Sequence, residues 1–186
     1  TDHRVIWDLR LPRTLLGLVV GGALGLSGAL LQGATRNPLA DPSILGIHAG
    51  AAAAVVLGIY LLGLTSLSLY VWLAFAGAGL AMLAVYGIAA IGREGATPVK
   101  LALAGAAVSA ALMSVVSAIL LMSPNTLDQL RFWQVGSLAG RDMSVLLQVL
   151  PFLGIGTVLA LGCGRVLDGL SMGEDVARAL GQRVEI

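Results

Sequence analysis

The sequence predicts an all-α protein that crosses a membrane several times. Of its 186 residues, 58% are hydrophobic and only 11% are charged, and the mean hydropathy is +0.93. A soluble domain usually carries about 25% charged residues, because these cover its core with a solvated surface. The charged residues here also leave long uncharged runs, at 14–35, 42–92, 101–127 and 143–164. This distribution is typical of a polytopic transmembrane helical bundle.

The four uncharged runs predict five transmembrane helices. A helix needs about 20 apolar residues to cross roughly 30 Å of hydrocarbon. The run at 42–92 is long enough for two helices, and its 63–68 segment is the expected break. The runs do not alternate apolar and polar residues as the strands of a membrane barrel do. We therefore expect spans at about 12–33, 46–63, 68–91, 99–122 and 144–164, within one transmembrane domain over 1–186.

Two predicted spans carry a small residue at every fourth position. The first span has Gly17, Gly21, Gly25, Ala29 and Gly33, and the fourth has Ala102, Ala106, Ala110, Ser114 and Ala118. This spacing keeps the small residues on one face, where another backbone can approach closely. Gly and Ala are frequent in membrane helices in any case. The pattern favours a tightly packed bundle and indicates no function.

The sequence contains no recognisable motif of a catalytic, cofactor-binding or metal-binding site. It contains no Walker A loop, no GxSxG elbow and no HExxH pair. His3 and His48 stand alone, and the single cysteine, Cys163, rules out an internal disulfide. A net charge of +1 gives no reason to expect nucleic acid as a partner. The protein is predicted not to be an enzyme.

The spans also lack the usual mark of an ion-coupled transporter. Ionisable residues inside a membrane commonly mark proton or ion pathways, and no predicted span interior carries a plausible Asp, Glu or Lys. If the protein moves a solute uphill, the energy is expected to come from another subunit. Charge does not fix the orientation, because the two sides carry five and six basic residues.

Polar residues before and after the first span define two stretches of interest. Arg10 and Arg13 precede the span, and they would serve equally well as interfacial anchors. Pro38 and Pro42 lie in the 36–42 segment and forbid a continuous helix there. This second stretch is predicted to be a rigid turn.

Two further polar stretches lie near the end of the chain. The 126–136 segment predicts a short amphipathic helix at the membrane surface, with Leu127, Leu130 and Trp133 on one face. It is either a surface loop or the lining of a pathway mouth. In the 171–181 segment, Ser171 and Glu174 form a capping box, and a Gly follows as a helix stop. This segment predicts a short helix that docks on a partner.

At these stretches the sequence resembles the FecCD family of ABC permeases, type II importers of iron-siderophores, haem and cobalamin. The matching motifs, in chain order, are RLPRT at 10–14, GALLQ at 28–32, NPLADP at 37–42, LG at 45–46, LALAG at 101–105, Trp133 with GSL at 136–138, and GEDVARALG at 173–181. Their order and spacing cover most of the chain. The resemblance implies that the chain is a fragment of about half the usual length, and the opening Thr1-Asp2-His3-Arg4 looks like the interior of a longer chain.

The resemblance implies a role for each stretch. Arg10 and Arg13 would lie outside and contact a periplasmic or lipoprotein substrate-binding protein, and the amphipathic helix would be external. Asn37 and Leu39 match positions near the cytoplasmic gate, and a second gate position falls at Pro98 and Val99. That second position bears a hydroxyl in the cobalamin member, so this chain departs from it. The cytoplasmic coupling region, 168–186, would dock on the ATPase through Gly173, Glu174, Asp175, Val176, Arg178, Leu180 and Gly181.

The implied function is a permease subunit in the bacterial inner membrane, powered by a separate ABC ATPase. A second permease copy would complete a homodimer or pseudodimer, surrounded by lipid. Ferric siderophore is the first expectation for the substrate, with haem and cobalamin behind it. Two alternatives remain from the residues alone: an ion-coupled secondary transporter and a structural membrane subunit.

Overall fold

The computed structural model describes residues 5–35, 37–91, 95–138 and 143–171. The described residues are helical, with short turns and no strand. A π-helical segment, Val5–Arg10, leads into the first helix, and a 3-10 turn, Pro42–Leu45, leads into the second. The α-helices are α1 (Leu11–Thr35), α2 (Ile47–Leu62), α3 (Leu67–Ala89), α4 (Pro98–Met122), α5 (Pro124–Val135) and α6 (Met143–Ser171). The all-α prediction is confirmed.

Each predicted span overlaps one described helix, but α6 continues seven residues past the predicted end at 164. Ser171, predicted as the N-cap of a separate helix, is instead the last described residue of α6. Val5–Thr35, Ser68–Ala89, Pro98–Met122 and Met143–Gly164 are each long and apolar enough to cross a membrane. The remaining apolar helix, α2, has 16 residues and a length of about 24 Å. It is therefore shorter than the roughly 30 Å of hydrocarbon, and five as the number of spans stays a prediction.

The described residues form two compact units: the first comprises 5–35, 37–40, 137–138 and 143–171, and the second comprises 41–91 and 95–136. In the first unit, α1 packs against α6. Pro12 and Leu16 are buried on α1, and a methyl group at Gly17 would lie 3.7 Å from Leu138. Gly21 and Gly25 have no atom of the described chain within 4 Å of such a methyl position. Of these three glycines of the predicted stripe, only Gly17 has a described neighbour within 4 Å of its methyl position.

In the second unit, α2 lies at the centre and packs against α3, α4 and α5. Its most deeply buried residues are Val55 and Val56, which have no solvent-exposed surface. Val85 of α3 is buried to the same extent. Where α2 crosses α3, Gly50 faces Gly77, and a side chain at either glycine would collide with the backbone of the other. The absence of side chains lets the two helix backbones touch. These glycines belong to neither of the two predicted stripes.

In the second unit, α3 runs antiparallel to α2, and α4 runs antiparallel to α3. Gly46, just before α2, lies beside Val85 near the end of α3 and Ser109 in the first half of α4. At the other end of α2, Gly58 lies against Leu73, near the start of α3. The unit therefore has two ends: one carries the 3-10 turn and the start of α4, and the other carries the α2–α3 turn and α5.

Candidate functional site

The helix α5 is defined by its own local sequence. Ser123 caps it, because its Oγ accepts a hydrogen bond from the Thr126 N–H (3.3 Å) and lies 2.8 Å from the Thr126 hydroxyl oxygen. Pro124 opens the first turn, where its missing N–H costs nothing. Gly136 ends the helix with φ +61°, a left-handed conformation that favours glycine. The predicted helix over 126–136 is confirmed, beginning two residues earlier.

The inner face of α5 packs on the second unit. Leu130 is 3% exposed and joins the cluster of Ala53, Val56, Val116 and Ile119. Trp133 packs against this cluster and also against a second one formed by Val55, Ile59 and Tyr70. Leu127 on the same face is half-buried, as is Trp133. The predicted apolar face is correct, and its partner here is the end of the helical bundle.

A buried polar contact joins α5 to the α2–α3 turn. The Tyr70 hydroxyl donates to the Leu64 carbonyl oxygen at 2.7 Å and lies 2.9 Å from Oε1 of Gln129. A hydroxyl has one proton, so it donates to one partner, and the Gln129 amide can turn its NH₂ group toward the hydroxyl oxygen. Sequence reasoning missed this contact, because Tyr70 and Gln129 are 59 positions apart and neither belongs to a motif.

The outer face of α5 is polar. Asp128 and Arg131 are 69% and 68% exposed, with 3.8 Å between a carboxylate oxygen and a guanidinium nitrogen. A pair so exposed contributes little to stability. Asn125 and Gln134 are exposed as well. The helix therefore presents a hydrophilic surface on the side opposite to Leu130.

Asn37 and Asp41 shape the turn between the first two helices. The Asn37 side-chain oxygen accepts from the Leu39 N–H at 3.0 Å, and its backbone oxygen accepts from the Ala40 N–H at 3.1 Å. Asp41 Oδ1 accepts from the Ser43 N–H at 2.8 Å. Hydrogen bonds from the side chain and backbone of Ser43 lower the pKa of the Asp41 carboxyl. The prediction of a shaped turn is confirmed.

Two of the motifs that carry the resemblance meet in the second unit. A methyl group at Gly105 would collide with the Ile44 carbonyl oxygen in the 3-10 turn. One residue past that turn, Gly46 has φ +72° and lies near the Ser109 side chain. The LALAG segment of α4 thus packs against the turn that carries the LG motif. Gly105 permits the close approach of the two backbones because it has no side chain.

The predicted gate residues belong to two elements: Asn37 and Leu39 follow the end of α1, and Pro98 and Val99 begin α4. Leu39 is 84% exposed, and Asn37 is exposed beside it. Pro98 and Val99 occupy the first turn of α4, where the Thr97 hydroxyl oxygen accepts from the Lys100 N–H at 3.4 Å. Val99 is 69% exposed. Pro98 therefore has a structural role at the beginning of the helix, while the gate role of these residues stays a prediction.

Arg10 and Arg13 lie at the other end of α1 from Asn37. Both are exposed. The 25 residues of α1 have a length of about 37 Å, enough to cross the hydrocarbon. The two arginines and the Asn37 turn are therefore separated by a membrane-length helix. The predicted coupling residues, 173–181, lie outside the described residues.

The outward faces of α3 and α4 differ in character. The face of α3 carries large apolar side chains: Leu69, Trp72, Phe75, Leu80, Met82, Leu83, Tyr86 and Ile88. On α4 all five residues of the small stripe are exposed, from Ala102 to Ala118, with Leu103, Met113 and Val115 beside them. The predicted close packing along this stripe is therefore absent among the described residues of its unit.

Comparison with known proteins finds that the chain is similar to permease proteins of iron-chelate and cobalamin transport systems. Residues 1–186 match the model of the FecCD transport family. The chain is 50% identical over 183 residues to the ferric enterobactin transport system permease protein FepD of Escherichia coli K12, a match over 98% of this chain and 55% of FepD. It is 37% identical over 186 residues to the cobalamin import system permease protein BtuC of Halobacterium salinarum, covering all of this chain and 50% of BtuC.

A solved structure is also similar. It is a metal-chelate-type ABC transporter in an inward-facing conformation, with a TM-score of 0.82 and 30% identity over 97% of this chain and 57% of the other. The chain spans about half the length of the curated relatives it matches, as the sequence motifs predicted.

Proposed function

Because the chain belongs to the FecCD transport family, we propose that the whole protein is the transmembrane permease subunit of an ABC importer. It carries an iron chelate across the bacterial inner membrane and is driven by a separate ATPase. The observation that carries this proposal is the family match over all 186 residues, which includes the arginine, turn and coupling motifs. A substrate-binding protein outside and a second permease copy complete the assembly.

Ferric siderophore is the proposed substrate class. The ferric enterobactin permease is 50% identical to this chain, whereas the cobalamin permease is 37% identical. An iron(3+)-hydroxamate permease of Bacillus subtilis, FhuB, is 44% identical over 183 residues. These two siderophore permeases exceed the cobalamin permease in identity, which supports a ferric chelate, whereas a second iron(3+)-hydroxamate permease of Bacillus subtilis, FhuG, is 35% identical over 192 residues.

The small face of α4 is the proposed wall of the substrate pathway. Alanine and serine side chains give a smooth surface that makes weak contacts with a bulky chelate, which must be released after it enters. The outward face of α3 suits lipid instead, since its side chains are large and mostly apolar, and its polar groups are the Trp72 indole N–H and the Tyr86 hydroxyl. Asn37, Leu39, Pro98 and Val99 would form the cytoplasmic gate. The contrast between the two helices supports this arrangement.

Cysteine labelling tests the pathway assignment. In a background in which Cys163 and every other native cysteine of the full-length protein are replaced by serine, Ala110→Cys on α4 should react with a membrane-impermeant thiol reagent at least roughly tenfold faster than Leu83→Cys on α3, because the thiolate forms readily only in water. Both variants would be studied in the full-length protein reconstituted in vesicles. Equal protection of the two cysteines would contradict a pathway along α4.

Charge reversal tests the proposed docking of the binding protein. Arg10→Glu with Arg13→Glu should slow association by about tenfold or more at low salt, because exposed charges steer encounter between partners. The difference should shrink as salt screens the charges. The matched control is Arg10→Lys with Arg13→Lys, which keeps the charge. If the reversed-charge variant associates as fast as the wild type, the two arginines do not contribute to docking of the binding protein.

A further inference from the structure

The strongest feature outside the proposed pathway is the buried junction of α5 with the α2–α3 turn. Tyr70 is 7% exposed, and its hydroxyl bridges the Leu64 carbonyl and the Gln129 side chain. Three elements meet there: the turn after α2, the beginning of α3 and the middle of α5. The surrounding side chains are largely apolar and include Val55, Ile59 and Trp133.

Hydrophobic contact alone would not fix α5 in one position. Burial of Leu130 and Trp133 holds the helix against the bundle, but this attraction is non-directional. A hydrogen bond requires a defined distance and angle, and breaking one in a buried site leaves unpaired polar groups. The Tyr70 hydroxyl is therefore suited to setting the register of α5 on the bundle.

We propose that Tyr70 is a positioning residue that fixes α5 to the α2–α4 bundle, so that the four helices move as one body. Its meaning for transport rests on the proposed function. In that setting, the external mouth opens by movement of the whole bundle. A hinged motion of α5 alone would have to break the Tyr70 contact and expose Leu130 and Trp133.

Other features of the molecule support a fixed α5. The N-cap residue of α5, Ser123, also ends α4, because its N–H donates to the Ile119 carbonyl oxygen at 3.0 Å. The start of α5 is therefore attached directly to the end of α4. Thr126 is only 2% exposed in the first turn. The helix is thus held at its start by the cap, in its middle by Gln129 and Leu130, and near its end by Trp133.

A distance measurement between spin labels tests the proposal. The labels are placed at Leu83→Cys on α3 and Gln134→Cys on α5, both exposed, in full-length protein in which Cys163 and every other native cysteine are replaced by serine. The resting protein should give one narrow distance distribution. Tyr70→Phe should raise the population with α5 displaced by roughly tenfold, equal to about 1.4 kcal/mol. Tyr86→Phe, which removes an exposed tyrosine hydroxyl from the same helix, should leave the distribution unchanged.

A merely structural role would give a different result. It would lower the unfolding temperature of Tyr70→Phe yet leave the distances in the folded protein unchanged, which would overturn the proposal. Gln129→Leu removes the same contact from the other side and should reproduce the displacement.

A second distance measurement uses protein that retains Tyr70. The same label pair is compared between the resting protein and the nucleotide-trapped complex with its ATPase, and the distance should stay the same. A change in that distance would show that α5 moves by itself and would refute the proposal. Absence of ATP-driven uptake in the same vesicles would instead count against the proposed function, while the resting-state comparison still decides the role of Tyr70.

Discussion

Replacing Gly77 by valine should strongly reduce the amount of folded protein recovered in detergent. A side chain at this position would collide with the Gly50 carbonyl oxygen and meet the Ala54 methyl group. Neither helix can retreat freely, because α2 is also packed against α4 and α5. Overpacking of a close contact typically costs about 1–3 kcal/mol, and a clash with backbone belongs at the upper end of that range.

Gly79 provides the matched control for this change. It lies two residues further along α3, and no described atom lies within 4 Å of its methyl position. Thermal unfolding monitored by size exclusion should show a loss of several degrees for Gly77→Val and little change for Gly79→Val. Equal behaviour of the two variants would mean that the α2–α3 crossing is not a close backbone contact.

The second large effect is expected at the proposed coupling helix. Glu174→Ala removes the carboxylate that the sequence predicted to form a capping box with Ser171, and Leu180→Ala removes an apolar side chain suited to a groove on a partner. Truncating a hot-spot residue at the centre of an interface costs about 2 kcal/mol or more, so with Leu180 in that role the double variant should bind the ATPase at least about tenfold more weakly.

Co-purification of the full-length protein with its ATPase measures this effect. The control is Gln182→Ala, which lies in the coupling region but is not one of the residues expected to contact the ATPase, and it should retain the complex. Folding of the double variant is checked by its elution as a single detergent-solubilised species. A double variant that still holds the ATPase at the wild-type level would assign the docking surface to another part of the chain.

The positions of the helices were predictable because membrane burial imposes a length and an apolar composition on each one. The break after Leu62 and the extended turn around Pro38 and Pro42 followed from the local residues alone. The amphipathic face of α5 was also predictable, because Leu127, Leu130 and Trp133 are spaced for one side of a helix. These features depend on neighbours in sequence.

The close contacts between helices were not predictable in the same way. The regular stripes suggested packing along α1 and α4, whereas the closest backbone approaches occur at Gly50, Gly77 and Gly105. Which glycine meets another helix depends on crossing positions, and those depend on residues far apart in sequence. The Tyr70 contact with Gln129 is of the same kind. For the candidate site, the sequence identified the polar segments along the chain. The structure showed which other residues each segment contacts.

The most direct test of the proposed function is reconstituted uptake. The full-length permease, its ATPase and its substrate-binding protein are placed in vesicles with a radiolabelled ferric siderophore. Uptake should require ATP hydrolysis and persist after proton and sodium gradients are dissipated. Uptake driven by an ion gradient without the ATPase would contradict the account and favour a secondary transporter, and no uptake of any iron chelate or cobalamin would favour a structural subunit.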